Sequence, residues 1–242
     1  MRQSGRSRLR RSKFKPWTRL IRQCQDIIAS LDPHPYYPKA YREAELGYWS
    51  KVAQWLWQDI RVGSPKRCLD VGCAYGTLAL FCKAITEAEV YCIDVTDEYL
   101  SARLVEEFGL HFAICNIEMD PVPFEAGFDV IIFTEVLEHL NCHPLPTLLK
   151  LKGLLVDDGL IYLSTPDARQ WGRSAYYHSY EHMPQPLGDR SADFKDDHIY
   201  LFDEEEIRTL MARAGLEILR FDYASGAGAR HFNLTLTRAS HR

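Results

Sequence analysis

The stretch Phe128–Thr134, FDVIIFT, constrains this chain more than any other. It is apolar almost throughout, as expected of a strand covered on both faces. From Lys66 onward, strand-like and helix-like patterns alternate around it. Arg67–Val71, Val90–Val95, Phe112–Cys115 and Leu160–Thr165 read as strands, and Thr77–Ala84, Asp97–Phe108 and Pro146–Val156 as helices. Asp203 reads as the N-cap of a helix through Ala214, with Gly215 as its stop, before two last strands, Glu217–Tyr223 and Phe232–Arg238. The expected fold is α/β: a seven-stranded, mostly parallel sheet with helices on both faces.

Composition narrows the class. At 242 residues, 46% hydrophobic and 26% charged, the chain suits one ordinary globular domain. No apolar run approaches the ~18 residues of a membrane span, and the N-terminus lacks the apolar stretch of a secretory signal. The seven cysteines form no CxxC pair, and Cys68, Cys92 and Cys115 sit in strand-like runs. They read as small buried residues in a reducing compartment, so a cytoplasmic location is expected.

The net charge of −4 hides an asymmetry. Residues 1–22 carry nine Lys/Arg and no acid, and the remainder sums to −13. Residues 1–30 are therefore expected as a flexible basic tail, able to touch nucleic acid, anionic lipid or a partner, or simply to be solvated. An Arg- and Ser-rich, acid-free start also resembles an organellar transit peptide. Residues 31–65 are expected as an N-terminal helical extension. In it the connector LDPHPYYPKA precedes a helix, Tyr41–Ile60, with Trp49, Val52, Ala53, Leu56 and Ile60 at helical spacing.

Parallel sheets bind ligands beyond the carboxyl ends of their strands. After the first strand comes Asp70-Val71-Gly72-Cys73-Ala74-Tyr75-Gly76, whose glycines permit a tight turn and close ligand approach. Gly72 and Gly76 are four apart, which is not the dinucleotide spacing G-x-G-x-x-G. Asp94 ends the second strand, where a carboxylate can accept hydrogen bonds from both ribose hydroxyls. Asn116 follows the third strand and can meet the polar edge of an adenine, with Ile117 available to pack on the ring.

LDVGCAYG, YCIDVT, CNIEMDPVPF, FDVIIFTEVLEHL and VDDGLIYLSTPD, in that order, resemble the class I S-adenosylmethionine-dependent methyltransferases. The resemblance spans about Lys66 to Arg238. It implies a Rossmann-like fold, S-adenosyl-L-methionine as cofactor, and a methyltransferase domain over residues 66–242. It implies that Gly72 and Gly76 line the methionine and ribose region, that Asp70 supports the loop, that Asp94 holds the ribose hydroxyls and that Asn116 faces adenine. Cys73, Tyr75, Val95, Ile117 and Thr134 are placed at the cofactor with them. Many relatives carry Asp where this chain has Asn116, which affects the strength of the adenine contact.

After the fourth strand, Glu135, Glu138 and His139 stand at i, i+3 and i+4, and on a helix they share one face. Two carboxylates and an imidazole suit a divalent metal or an acid/base cluster equally. The E-x-x-E-H pattern resembles two metal-dependent groups, the ubiquinone-biosynthesis O-methyltransferases and the small-RNA 3′-terminal 2′-O-methyltransferases. In the latter a further histidine completes the site, and His198 matches it. The resemblance thus implies Glu135, Glu138, His139 and His198 as ligands of Mg²⁺ or Mn²⁺. Without metal, Glu138, His139 and His198 are the expected proton-handling residues.

Residues 166–202 form a long aromatic insert, expected as a substrate lid. The expected function is O-methylation of a hydroxyl on a small molecule or glycan. Methylation of an RNA 2′-oxygen is the alternative, resting on the basic tail and on His198, with an acidic body against it. A non-catalytic cofactor-binding partner protein is the third reading.

Overall fold

The computed structural model describes residues 15–31, 34–60, 65–173, 176–186, 194–226 and 229–240. Helices α1 (Pro16–Ser30) and α2 (Arg42–Ile60) precede strand β1 (Arg67–Val71) and helix α3 (Thr77–Ile85). Then come β2 (Glu89–Asp94), α4 (Ala102–Phe108), β3 (His111–Ile114), β4 (Phe128–Thr134), α5 (Pro144–Leu154) and β5 (Leu155–Pro166). The short α6 (Ala168–Trp171), α7 (Glu204–Arg213), β6 (Leu216–Gly226) and β7 (Ala229–Arg238) complete the chain. The strands form one sheet in the order β3-β2-β1-β4-β5-β7-β6. Pairing is parallel from β3 through β5, and β7 runs antiparallel between β5 and β6.

Alternation along the central strands feeds two cores. Cys68, Val90, Cys92, Val130 and Ile132 pack on one face with α1, α2 and α3. Leu69, Ile93, Ile131, Phe133, Ile161 and Leu163 pack on the other, with apolar residues of α5 and α7. The double coverage read from FDVIIFT is thus realised. Asp129, its charged member, accepts backbone N–H bonds from Lys66 and Arg67 at 2.8 and 2.9 Å.

Several boundaries shift. The expected helix over 97–108 begins only at Ala102, because Ser101 holds the extended N-cap conformation. Strand β5 starts at Leu155, so Gly159 lies inside it. A Cβ there would meet Phe128 O at 3.0 Å and Val156 O at 3.1 Å. The Asp203 N-cap is observed as a full capping box with Glu206.

The expectation of a tail through residue 30 is corrected. Pro16–Ser30 is helix α1, with Pro at its first turn and Trp17, Ile21, Cys24 and Ile28 buried at helical spacing. Two of the charges that suggested a tail, Arg19 and Arg22, lie away from its buried face. Arg22 bridges Gln25 and Glu43 at 2.9 Å each. Residues 1–14, the rest of the basic segment, lie outside the described residues.

Helix α2 is kinked at Trp49, where φ/ψ is −131°/28°. Kinks free backbone groups that need new partners. Asn233 of β7 supplies them. Its Oδ1 accepts from Lys51 N and Val52 N at 3.1 and 3.2 Å, and its Nδ2 donates to Tyr48 O at 2.8 Å. One buried amide thereby locks the N-terminal extension onto the sheet.

Candidate active site

A cavity of about 500 Å³ opens beyond the carboxyl ends of β1, β2 and β4. Its floor is the β1–α3 loop. Gly72 and Gly76 take φ of +68° and +78°, and Ala74 between them takes +43°. Gly72 N donates to Ile93 O at 2.8 Å, tying the loop to β2. Asp94 then accepts from Ala74 N at 2.8 Å through Oδ2. Burial raises the Asp94 carboxyl against the opposing backbone bonds from Ala74, Thr96 and Val95.

Of the residues expected at the cofactor, Gly72, Tyr75, Asp94, Val95, Asn116, Ile117 and Thr134 line this cavity. Asn116 makes an Asx turn, its Oδ1 accepting from Glu118 N at 2.9 Å. That orients the side chain and leaves its NH₂ as the donor available to a ligand.

Other expected cofactor residues stand behind the wall. Asp70 and Cys73 line a smaller neighbouring cavity with Glu45 and Thr77. Burial raises Asp70 to about 7, with Asp94 adding to it. Cys73, expected at the cofactor, does not line the main cavity; it is buried behind it. Gly76 caps α3 and packs beneath Leu100 rather than lining the main cavity.

The four expected metal residues do not converge. The helix assumed for them is absent: Glu135 takes φ of +55°, and only Leu137–His139 forms a 3₁₀ turn. Helical spacing therefore does not apply, and Glu135 swings elsewhere. Its Oε1 accepts from Ser164 Oγ at 2.7 Å, and its Oε2 lies 2.8 Å from His231 Nδ1. Glu138, His139 and His198 do converge, with one ligand atom from each lying within 4.8 Å of the others. Backbone bonds from Ile199 N and Tyr200 N to Glu138 O, at 2.7 and 3.2 Å, bring in the His198 segment.

That trio is electrostatically tense. Glu138 is fully buried, and burial together with Glu135 pushes its carboxyl well up, although Thr165 Oγ1 donates to it at 2.9 Å. Burial lowers both His139 and His198, and each histidine's neighbours include another imidazole that adds to the effect. One carboxylate and two imidazoles within this span fit the reach of a single divalent ion.

The sequence reading missed much of the cavity wall. Tyr36, Tyr41, Tyr48 and Tyr99 line it from the N-terminal extension and the β2–α4 loop, and His231 lines it from β7. From the insert come Trp171, Phe194 and Asp196, alongside the expected His198. The one signal for His231 was an imidazole in register with the polar set of the alternation HFNLTLT. Among the described residues, no lysine or arginine lines the cavity.

Known proteins share this architecture. The family model described as a methyltransferase domain matches residues 41–220. A comparison with curated proteins finds no match. Among solved structures, the 1,6-didemethyltoxoflavin-N1-methyltransferase of Burkholderia thailandensis, bound to 1,6-didemethyltoxoflavin and S-adenosylhomocysteine, superposes with a TM-score of 0.60 at 18% identity. The match covers 96% of this chain and 94% of that one. The magnesium protoporphyrin IX methyltransferase of Synechocystis gives 0.55 at 18% identity, over 95% of this chain and 86% of that one. The N-methyltransferase NodS of Bradyrhizobium japonicum gives 0.56 at 16% identity, over 79% and 96%. With the family model spanning most of the sheet and its loops, this chain belongs to the class I S-adenosylmethionine-dependent methyltransferases.

Proposed function

We propose that the enzyme methylates a hydroxyl of an uncharged small molecule. The observation that carries this reading is the cavity's charge: Asp94, Glu118, Glu135, Glu138 and Asp196 line it, and no described Lys or Arg does. Such a wall attracts a cationic cofactor and repels phosphate-bearing acceptors, which weighs against an RNA strand or a nucleotide. Its size suits a cofactor together with a small acceptor.

S-adenosyl-L-methionine, when bound, supplies an electrophilic methyl group on a sulfonium. The chain's own residues hold it. Asp94 takes the ribose hydroxyls, Asn116 donates through Nδ2 to the adenine edge, and Ile117 packs on the ring. Gly72 lets the methionine end approach the backbone, while Asp70 supports the loop from behind. Trp171 and Phe194 of the insert line the cavity and offer apolar surface to an acceptor.

A divalent cation would be held by Glu138, His139 and His198, where it would supply Lewis acidity toward an acceptor oxygen. Two imidazoles and one carboxylate favour Mn²⁺ over Mg²⁺. Without it, the same residues can hold an acceptor hydroxyl by hydrogen bonds. Seven buried, free cysteines support a reducing compartment. Among the described residues no helix is long and apolar enough to cross a membrane.

The test is product analysis. The protein is incubated with methyl-labelled S-adenosylmethionine and matched phenols, catechols, sugars and amines, in EDTA and in Mn²⁺. Label on hydroxyl acceptors supports the reading. Label confined to amines, or to an RNA oligonucleotide assayed in parallel, overturns it.

A further inference from the structure

Beside the Glu138 cluster, the same cavity carries a second pair of polar groups, Glu135 and His231. His231 sits on β7 opposite Pro166 of β5 and Ala224 of β6. It is only 1% exposed, yet it lines the main cavity. Neither ring nitrogen has a well-aligned hydrogen-bond partner among the described residues. A buried imidazole left so is costly, and it points to a ligand group that completes it.

The surroundings say which group. Glu135 Oε2 lies 2.8 Å from Nδ1, without the alignment of a hydrogen bond. Ser164 Oγ holds the other carboxylate oxygen at 2.7 Å. Glu135 keeps this place at the expense of a left-handed backbone, φ +55°, that a side-chain-bearing residue adopts rarely. The Tyr48 ring lies 4.7 Å from the imidazole, and Trp171 meets it edge-on at 5.5 Å. With Nδ1 turned to the carboxylate, Nε2 is the nitrogen left for a ligand. Flat aromatic walls beside it suit a flat ring.

We infer that His231, positioned by Glu135, accepts the proton of an acidic O–H carried on an aromatic ring, so that the acceptors of this site are phenols. The inference rests on the proposed hydroxyl methylation and names its substrate class. In the step, the phenol O–H bond breaks, its electron pair stays on oxygen, and the proton goes to His231 Nε2. The resulting imidazolium faces the Glu135 carboxylate. Glu135 is a positioning residue, since it acts through His231.

The probe is 4-nitrophenol, whose anion has its own visible absorption. It is titrated into the complex with S-adenosylhomocysteine, in EDTA, at a pH where the free probe is mostly neutral. Binding of S-adenosylhomocysteine is measured separately by calorimetry. The expected result is growth of the phenolate band on binding. Glu135→Gln reduces that band while the probe still binds. His231→Ala abolishes it, and added imidazole restores it. His231→Gln, closer in size, guards against a folding defect and also lacks the band. A probe that binds as the neutral phenol, or a band unchanged in the His231 variants, overturns the inference. So does a cofactor complex that takes up no phenol. Failure to bind S-adenosylhomocysteine would sink the underlying reading instead, and this one with it.

Discussion

Asp94 at the tip of β2 accepts the backbone N–H of Ala74 at 2.8 Å, so the carboxylate that faces the cavity also fixes the glycine loop beneath it. The two roles are joined in one side chain. Removing the carboxylate loosens the loop even with no ligand present. Asp94→Ala is expected to speed amide exchange at Ala74 by tenfold or more, from loss of a charged hydrogen bond of about 1.5–3 kcal/mol. Asp94→Asn keeps an acceptor and should lie between. Residue-resolved hydrogen exchange by NMR checks this, and equal protection in all three would remove the coupling.

The two loop glycines should not be equally replaceable. Each has positive φ, which alone costs a substituted residue about 1–2 kcal/mol. At Gly72 an added Cβ would stand 2.4 Å from Val136 Cγ2, a branched and rotationally stiff side chain. At Gly76 the nearest atom is Leu100 Cδ1 at 2.7 Å, the free end of a flexible one. Gly72→Ala should therefore destabilise more than Gly76→Ala, by roughly 1–3 kcal/mol of extra overpacking. Urea denaturation of both variants measures the difference, and the reverse order would contradict the packing.

Glu45 gives the fold a pH dependence of unusual sign for an acid. Burial raises its carboxyl to about 7, against hydrogen bonds from Thr77 and Gln25 and the charge of Arg22. Between the usual 4.5 and 7 the folded chain keeps a proton that the unfolded chain has lost. Stability from this group is thus full below about 4.5 and declines as pH rises through 7, by a total on the order of 3 kcal/mol. Asp70, raised to about 7, acts in the same direction. Glu45→Gln removes Glu45's share, so the variant should gain on the native protein between pH 5 and pH 8. Parallel stability curves would show that Glu45 ionises normally.

Separation of Glu135 from the Glu138 cluster has a direct test. Mn²⁺ should raise the melting temperature by a few degrees, equivalent to about 2.7 kcal/mol at a hundredfold excess over Kd. Glu138→Gln and His198→Ala should lose that shift. Glu135→Gln should retain it, because its carboxylate belongs to Ser164 and His231. Equal loss in all three variants would restore Glu135 to the metal set.

Much of this was legible in the chain itself. FDVIIFT announced a doubly covered strand, and periodicity alone put the glycines, Asp94 and Asn116 at strand ends. The E-x-x-E-H spacing misled because it presumed a helix. Glu135 instead takes a left-handed turn, which no local pattern marked. Helix α1 was obscured by the arginines on its outer face, although Trp17, Ile21, Cys24 and Ile28 carried its periodicity. His231 was hidden for a different reason. Its partners Glu135, Tyr48 and Trp171 come from three distant stretches of chain, and only the sheet order brings them together.

The central claim is that Asp94 and the loop it fixes hold S-adenosylmethionine. Calorimetric titration of S-adenosylhomocysteine into the native protein and into Asp94→Ala tests it most directly. The account predicts binding to the native protein and at least a tenfold weaker affinity in the variant, about 1.4 kcal/mol or more. Equal affinity in the two proteins would contradict it, as would a native protein that binds none.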